Sequence, residues 1–160
     1  MINRILVAID GSEHSDKAVT MAATLASRFD ADLAIVHALL RGHIPPAVAE
    51  LSSEPIPSVP PMSMGGASVD YQVPVAALED IAEKLLEKAR TAATAAGATK
   101  VETSYHEGDP ARVLLEAAKA HNADMVVMGS RGLGNLSGLL LGSVSHKVQQ
   151  LFDGSVLTVK

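Results

Sequence analysis

A chain of 160 residues with net charge −5, 48% hydrophobic residues and no cysteine already excludes several kinds of chemistry. Disulfides, thiolate catalysis and cysteine-ligated zinc are ruled out, and the acidic balance leaves no basic stripe for nucleic acid. With two Phe, two Tyr and no Trp, the core must be built from small aliphatic side chains, which suits helices packed on a parallel sheet.

The length predicts one domain, residues 1–160, able to bury a real core. No run approaches the roughly 18 apolar residues that a membrane helix needs, and the N-terminal apolar stretch is too short for a signal peptide. A cytoplasmic protein without a membrane partner is therefore expected. Ile2–Ile9 is almost continuously apolar, the texture of a strand buried on both faces. Asp10-Gly11-Ser12 breaks it, and a helix follows with Ser12 as its N-cap and Ala18, Ala22, Leu25, Ala26 and Phe29 on one face. Leu33–Leu40 reads as a second buried strand, in which His37 would satisfy a hydrogen bond at the sheet's end.

Residues 41–74 hold seven of the eight prolines and the Gly65-Gly66 pair. This stretch predicts a mobile Pro-rich insertion without sustained structure, either a lid or interface or a plain surface loop. Val75–Ala96 is helical in pattern, with Leu78, Ile81, Leu85, Ala89, Ala92 and Ala96 on one face, an Asp80–Lys84 pair at i,i+4, and Gly97 as terminator. Lys100–His106 alternates apolar and polar residues, the texture of an edge strand. Asp109-Pro110 starts another helix, with Asp as N-cap and Pro at N1. Met125–Met128 is a fourth buried strand, Ser143–Phe152 a short helix and Ser155–Val159 a fifth strand.

Strands alternating with helices predict a doubly wound five-stranded parallel α/β sheet with helices on both faces. The textures favour the order 3-2-1-4-5. Winding then reverses between strands 1 and 4, and ligands bind beyond the carboxyl ends of strands at such a switch point. Asp10 and the segment after Met128 should face one crevice.

That segment, Gly129 to Ser143, has five glycines in fifteen residues and leads into a helix start, the local layout of a phosphate-binding loop. It is not a Walker A loop, because Asn135-Leu136 stands where Lys-Ser/Thr is required. The third glycine of the dinucleotide fingerprint is also missing. The spacing present is Gly129-x2-Gly132-x9-Gly142-Ser143. With Ile5-Leu6-Val7-Ala8-Ile9-Asp10-Gly11-Ser12, Gly108-Asp109-Pro110 and Leu141-Gly142-Ser143-Val144, the whole chain resembles the universal stress protein family in its ATP-binding subclass.

The resemblance implies a nucleotide-dependent regulator in the stress response, not an enzyme, that holds ATP with Mg2+ carried mainly by the phosphates. It places Asp10 and the backbone of Ala8 and Ile9 against adenine and ribose, with the backbone of Ala38 at the adenine edge. Met128, Gly129 and Gly132 would border ribose and the first phosphates. Gly142, Ser143 and Val144 would hold the outer phosphates, assisted by Ser145. It also implies a homodimer through the last strand, which would otherwise be an open edge, and an unnamed regulatory protein partner. Where family members often carry proline before the last strand's valine, this chain has Gly154-Ser155-Val156.

The residues leave other readings open. Arg131 either contacts a phosphate or points to water. His14 and His146 fall near the crevice as phosphate contacts or as ordinary polar residues, and Asp10 either meets ligand or caps a turn. Asp10, Glu13 and Asp16 suggest a metal site less well than a first helical turn collecting acids for its dipole. The alternative function is a slow ATP hydrolase or transferase in the same crevice, with the insertion as a lid that brings in His43 or Glu54.

Overall fold

The computed structural model describes residues 1–40, 46–53, 74–133 and 141–160. In chain order the elements are β1 (Arg4–Ile9), α1 (Glu13–Phe29), β2 (Asp32–Leu39), α2 (Pro46–Ala49), α3 (Val75–Ala95), β3 (Val101–Glu107), α4 (Pro110–Ala120), β4 (Met125–Gly129), α5 (Ser143–Leu151) and β5 (Ser155–Val159). All four ladders are parallel, in the order β3-β2-β1-β4-β5 expected from the strand textures. β1 therefore lies between β2 and β4, and the winding reverses there.

Period-2 alternation divides the central strands between two cores. Ile5, Val7 and Ile9 face α1 and α3, joined by Leu33 and Ile35 of β2. Leu6, Ala8 and Val36 face α4 and α5 with Val126 and Met128. The helices present mainly alanine to the sheet, Ala18, Ala22, Ala23 and Ala26 on α1 and Ala111, Ala117 and Ala118 on α4. Small side chains let these helix axes approach closely, while Ile81, Leu85 and Leu86 of α3 and Val113 and Leu114 of α4 add bulk to the two cores.

The caps follow the local chemistry. The Ser12 hydroxyl accepts the Ser15 N–H at 3.2 Å, and the Asp109 carboxylate accepts the Arg112 N–H at 3.0 Å ahead of Pro110. Asp124 accepts the N–H groups of Asn3 at 2.7 Å and Arg4 at 3.0 Å, tying the start of β1 to that of β4. Those hydrogen bonds hold its carboxyl below the ordinary value.

Three expectations need correction. Phe29 is 50% exposed, because it ends α1 beyond the sheet. Ala92 is exposed and Ala93 buried, a rotation of the α3 stripe by one residue near its end. The stretch from 41 to 74 was expected to lack regular structure, yet it carries α2. Val48 of that helix is buried, and its Cγ1 lies 2.7 Å from where a Cβ on Gly11 would stand. Gly11 has φ +85°, so glycine there serves both the turn after β1 and the close approach of α2. Residues 41–45 and 54–73 of the insertion, with His43 and Glu54, lie outside the described residues.

Candidate functional site

At the carboxyl ends of β1, β2 and β4 the chain encloses a cavity of about 460 Å³, the size of a small-molecule site. All twelve positions singled out from the sequence line it: Ala8, Ile9, Asp10, Ala38, Met128, Gly129, Arg131, Gly132, Gly142, Ser143, Val144 and Ser145. They come from four separate elements and two loops. The reversal of winding brings them together, since only there do two neighbouring strands send their following loops to opposite sides.

On one wall stands the Asp10 turn. Its Oδ1 accepts the Ser12 N–H at 2.9 Å, an Asx turn that locks the carboxylate at the end of β1. The other oxygen faces the glycine loop: a Cβ on Gly132 would collide with Asp10 Oδ2. The turn-capping reading of Asp10 is thus correct, and it leaves one carboxylate oxygen directed across the crevice.

The opposite wall is the loop after β4, held by its own hydrogen bonds. Buried Ser130 donates its N–H to Val159 O at 2.7 Å and accepts the Gly142 N–H at 2.7 Å. The Ser145 hydroxyl donates to Gly129 O at 2.9 Å and lies 3.4 Å from Ser130 O. Two assignments change as a result. The Gly142 amide and the Ser145 hydroxyl are committed to shaping the loop, so neither is a free donor to a ligand. What the cavity keeps is the first turn of α5: its N-cap is Gly142, with no side-chain cap hydrogen bond. The amides of Ser143, Val144 and Ser145 are the unsatisfied donors that a helix N-terminus offers an anion.

His14 and His146 are not among the described lining residues. His14 stands behind the loop, its Nδ1 3.2 Å from Ser130 Oγ and its Cβ 2.9 Å from where a Cβ on Gly129 would be. Its role is to support the loop. Glu13 pairs with Lys17 at 2.8 Å and Asp16 with Lys88 at 2.7 Å. Among the described residues no group of three could hold a metal ion. Arg131 is exposed and lines the cavity, the sole lysine or arginine among its described lining residues.

Half of the cavity escaped the sequence reading. Leu39 and Leu40 of the β2 end, Val48 of α2, and Leu78, Ile81 and Leu85 of α3 form an apolar wall, with Pro110 and Leu114 of α4 opposite. The signal in α3 was the same as for core residues, so nothing distinguished them. The α2 end of this wall is clamped to α3. Asp80 Oδ2 accepts the Ser53 N–H at 2.6 Å, and Lys84 donates to Leu51 O at 2.7 Å while pairing with Asp80 at 3.0 Å. The Ser53 and Lys84 hydrogen bonds hold Asp80 below its ordinary value. The expected Asp80–Lys84 pair thus fastens a wall of the cavity as well as the helix.

His37 lines the floor, its Nδ1 2.9 Å from Ile9 O, the hydrogen bond expected at the sheet's end. Burial pushes its imidazole below the ordinary 6.5, against the opposing effects of the Ile9 hydrogen bond and the Asp10 charge.

Comparison with known proteins gives a consistent result. The family model described as the universal stress protein family matches residues 1–160. Universal stress protein YxiE of Bacillus subtilis is 38% identical over 160 residues, covering all of both chains. The crystal structure of a universal stress protein in complex with cAMP superposes with a TM-score of 0.69 at 29% identity, covering 99% of this chain and 97% of the other. The universal stress protein of Archaeoglobus fulgidus in complex with dAMP shares the fold, with a TM-score of 0.59 at 21% identity over the full length of both.

Proposed function

The chain belongs to the universal stress protein family, and from that premise we propose that it is an ATP-binding regulator whose partners respond to nucleotide occupancy. The observation that carries this reading is the convergence of Asp10, the Gly129–Gly132 turn and the first turn of α5 on one cavity. Its walls differ as the parts of a nucleotide differ. Apolar side chains line the side where a base would lie, and a helix N-terminus follows a glycine loop where phosphates would lie. The cAMP complex of a relative 29% identical to this chain supports an adenine nucleotide.

In this reading the backbone of Ala8, Ile9 and Ala38 meets the adenine, Asp10 the ribose, and Met128, Gly129 and Gly132 the ribose and inner phosphates. The amides of Ser143, Val144 and Ser145 and the Ser143 hydroxyl take the outer phosphates, with Arg131 at the rim. The residues present fit the group: a side chain at Gly132 would fill the space against Asp10. Asp10 is the one carboxylate among the described lining residues, so Mg2+ would be held chiefly by the phosphates.

The same inventory argues for a holder of ATP. The P-loop lysine is missing from the sequence, and Asp10, the one carboxylate among the described lining residues, is assigned to the ribose and not to a water. Mass spectrometry of the small molecule that co-purifies, followed by calorimetric titration of ATP, ADP, AMP and cAMP, tests this directly. Binding of ATP with turnover below about one per second, the low end of enzyme rates, is expected. Faster turnover would make the protein an ATP hydrolase or transferase, and no binding of any adenine nucleotide would remove the reading.

The dimer is proposed on the edge strand. Among the described residues β5 pairs only with β4, and its apolar residues Val156, Leu157 and Val159 remain partly exposed. Leu151, at the end of the preceding helix, is 58% exposed. Pairing of β5 with its copy would cover the open backbone groups. Light scattering should return twice the 16.6 kDa chain mass; a monomer at micromolar concentration would refute the pairing.

A further inference from the structure

Once the loop, Asp10 and α5 have been assigned to sugar and phosphates, one polar group in the cavity has no task. His37 comes up from β2 opposite Ile9 in the β1–β2 ladder and lines the cavity floor beside Ala38. A carbonyl oxygen only accepts, so the 2.9 Å contact with Ile9 O requires the proton on Nδ1. Burial favours the neutral ring, and a neutral ring protonated at Nδ1 carries a bare lone pair on Nε2. That atom has no hydrogen bond to a described residue, yet no buried side-chain nitrogen or oxygen among the described residues lacks a partner. Nε2 is therefore not sealed into the core: it opens on the cavity that the ring lines.

We infer that His37 Nε2 accepts a hydrogen bond from the exocyclic amino group of the bound base, making His37 a residue that selects a 6-amino purine over a 6-oxo purine. The inference rests on the nucleotide reading above. A base with an N–H donor at position 6 satisfies the Nε2 lone pair, whereas a 6-oxo group would set lone pair against lone pair. A site built to accept from a ligand N–H rejects the analogue lacking it far more strongly than an apolar pocket rejects a missing methyl.

The chemistry supplies matched variants. In H37N the side-chain amide can still donate to Ile9 O but ends short of the Nε2 position. In H37Q the longer amide carries an oxygen acceptor to about the Nε2 position. ATP and ITP are titrated calorimetrically into wild type and both variants, after circular dichroism melts confirm folding. Wild type should bind ATP about tenfold or more tightly than ITP, the usual scale for leaving one buried group unpaired. H37N should lose affinity for ATP but not ITP, bringing the ratio close to one, and H37Q should recover part of it. Equal binding of the two nucleotides by wild type overturns the inference, as does an undiminished ratio in H37N. If H37N does not fold, H37A takes its place: without an acceptor at the Nε2 position its ATP-to-ITP ratio should fall close to one, and a ratio as large as that of wild type, expected from a merely structural histidine, overturns the inference too. Wild type that binds neither nucleotide removes the nucleotide reading itself, and the inference with it, before any variant is needed.

Discussion

Replacing Gly132 with valine will weaken nucleotide binding severely while leaving the sheet folded. The position lies in the loop after β4, outside every helix and strand, and a Cβ there runs into Asp10 Oδ2. Asp10 has little room to yield, because its other oxygen is anchored on the Ser12 N–H at 2.9 Å. Either the carboxylate leaves its Asx turn or the loop moves away, and both destroy the spacing of the two walls. A loss of about a hundredfold in affinity, roughly 2.8 kcal/mol at about 1.4 kcal/mol per decade, is expected in calorimetric titration of ATP.

Gly142 provides the contrast. Its φ is −72°, a value open to any residue, and an added Cβ would stand 3.5 Å from Ser130 O, an ordinary contact. Gly142→Ala should therefore fold and melt like wild type, so any loss of affinity there comes from crowding the ligand. Wild-type affinity in Gly132→Val would show that no ligand lies between Asp10 and the loop.

The second large effect concerns stability. Ile35→Ala should cost about 3 kcal/mol, within the range of roughly 2–5 kcal/mol for isoleucine to alanine in cores. Ile35 is fully buried in β2, between β1 and β3, in the core beneath α1 and α3. The core above it combines alanines of α1, which have no side chain to swing into the void, with Ile81, Leu85 and Leu86 of α3, already packed against the sheet. Urea denaturation monitored by circular dichroism reads the change as a lowered midpoint with an unchanged slope. Met21→Ala, at a position 44% exposed on α1, should shift stability by less than about 0.5 kcal/mol. A cost below about 1 kcal/mol for Ile35→Ala would mean that this core is not packed as described.

The elements and the strand order were legible because their causes are local. Continuous apolar runs mark β1, β2 and β4 as central, and clean alternation marks β3 as an edge. Ser12, Asp109 and Pro110 set helix starts through bonds that span three or four residues. The loop was legible because glycine spacing is itself a backbone requirement, and the order of strands then placed Asp10 opposite it. The positions that the family resemblance assigned around that crevice, with Arg131 from the loop itself, all line one cavity.

What remained hidden depends on contacts between residues far apart in the chain. Leu78, Ile81 and Leu85 show the same helical period as core residues. They line a cavity only because α3 overhangs the carboxyl edge of the sheet and α2 closes beside it. The hydroxyl of Ser145 and the amide of Gly142 read as ligand donors until Gly129 and Ser130 are seen to take them. His14 and Ser130 have no pattern of their own, since supporting a loop from behind demands a shape and a partner rather than a spacing.

By itself, then, the sequence determined the fold class, the strand order and the two walls that face each other, because periodicity, capping and glycine placement act within a few residues. Tertiary structure alone decided which donors stay free, what the apolar half of the cavity is made of, and where the lone pair of His37 opens. Each of these depends on which polar groups find partners 12 to 28 residues away, beyond the reach of helical or strand periodicity, or on which side chains overhang an edge, and no local pattern records such pairings.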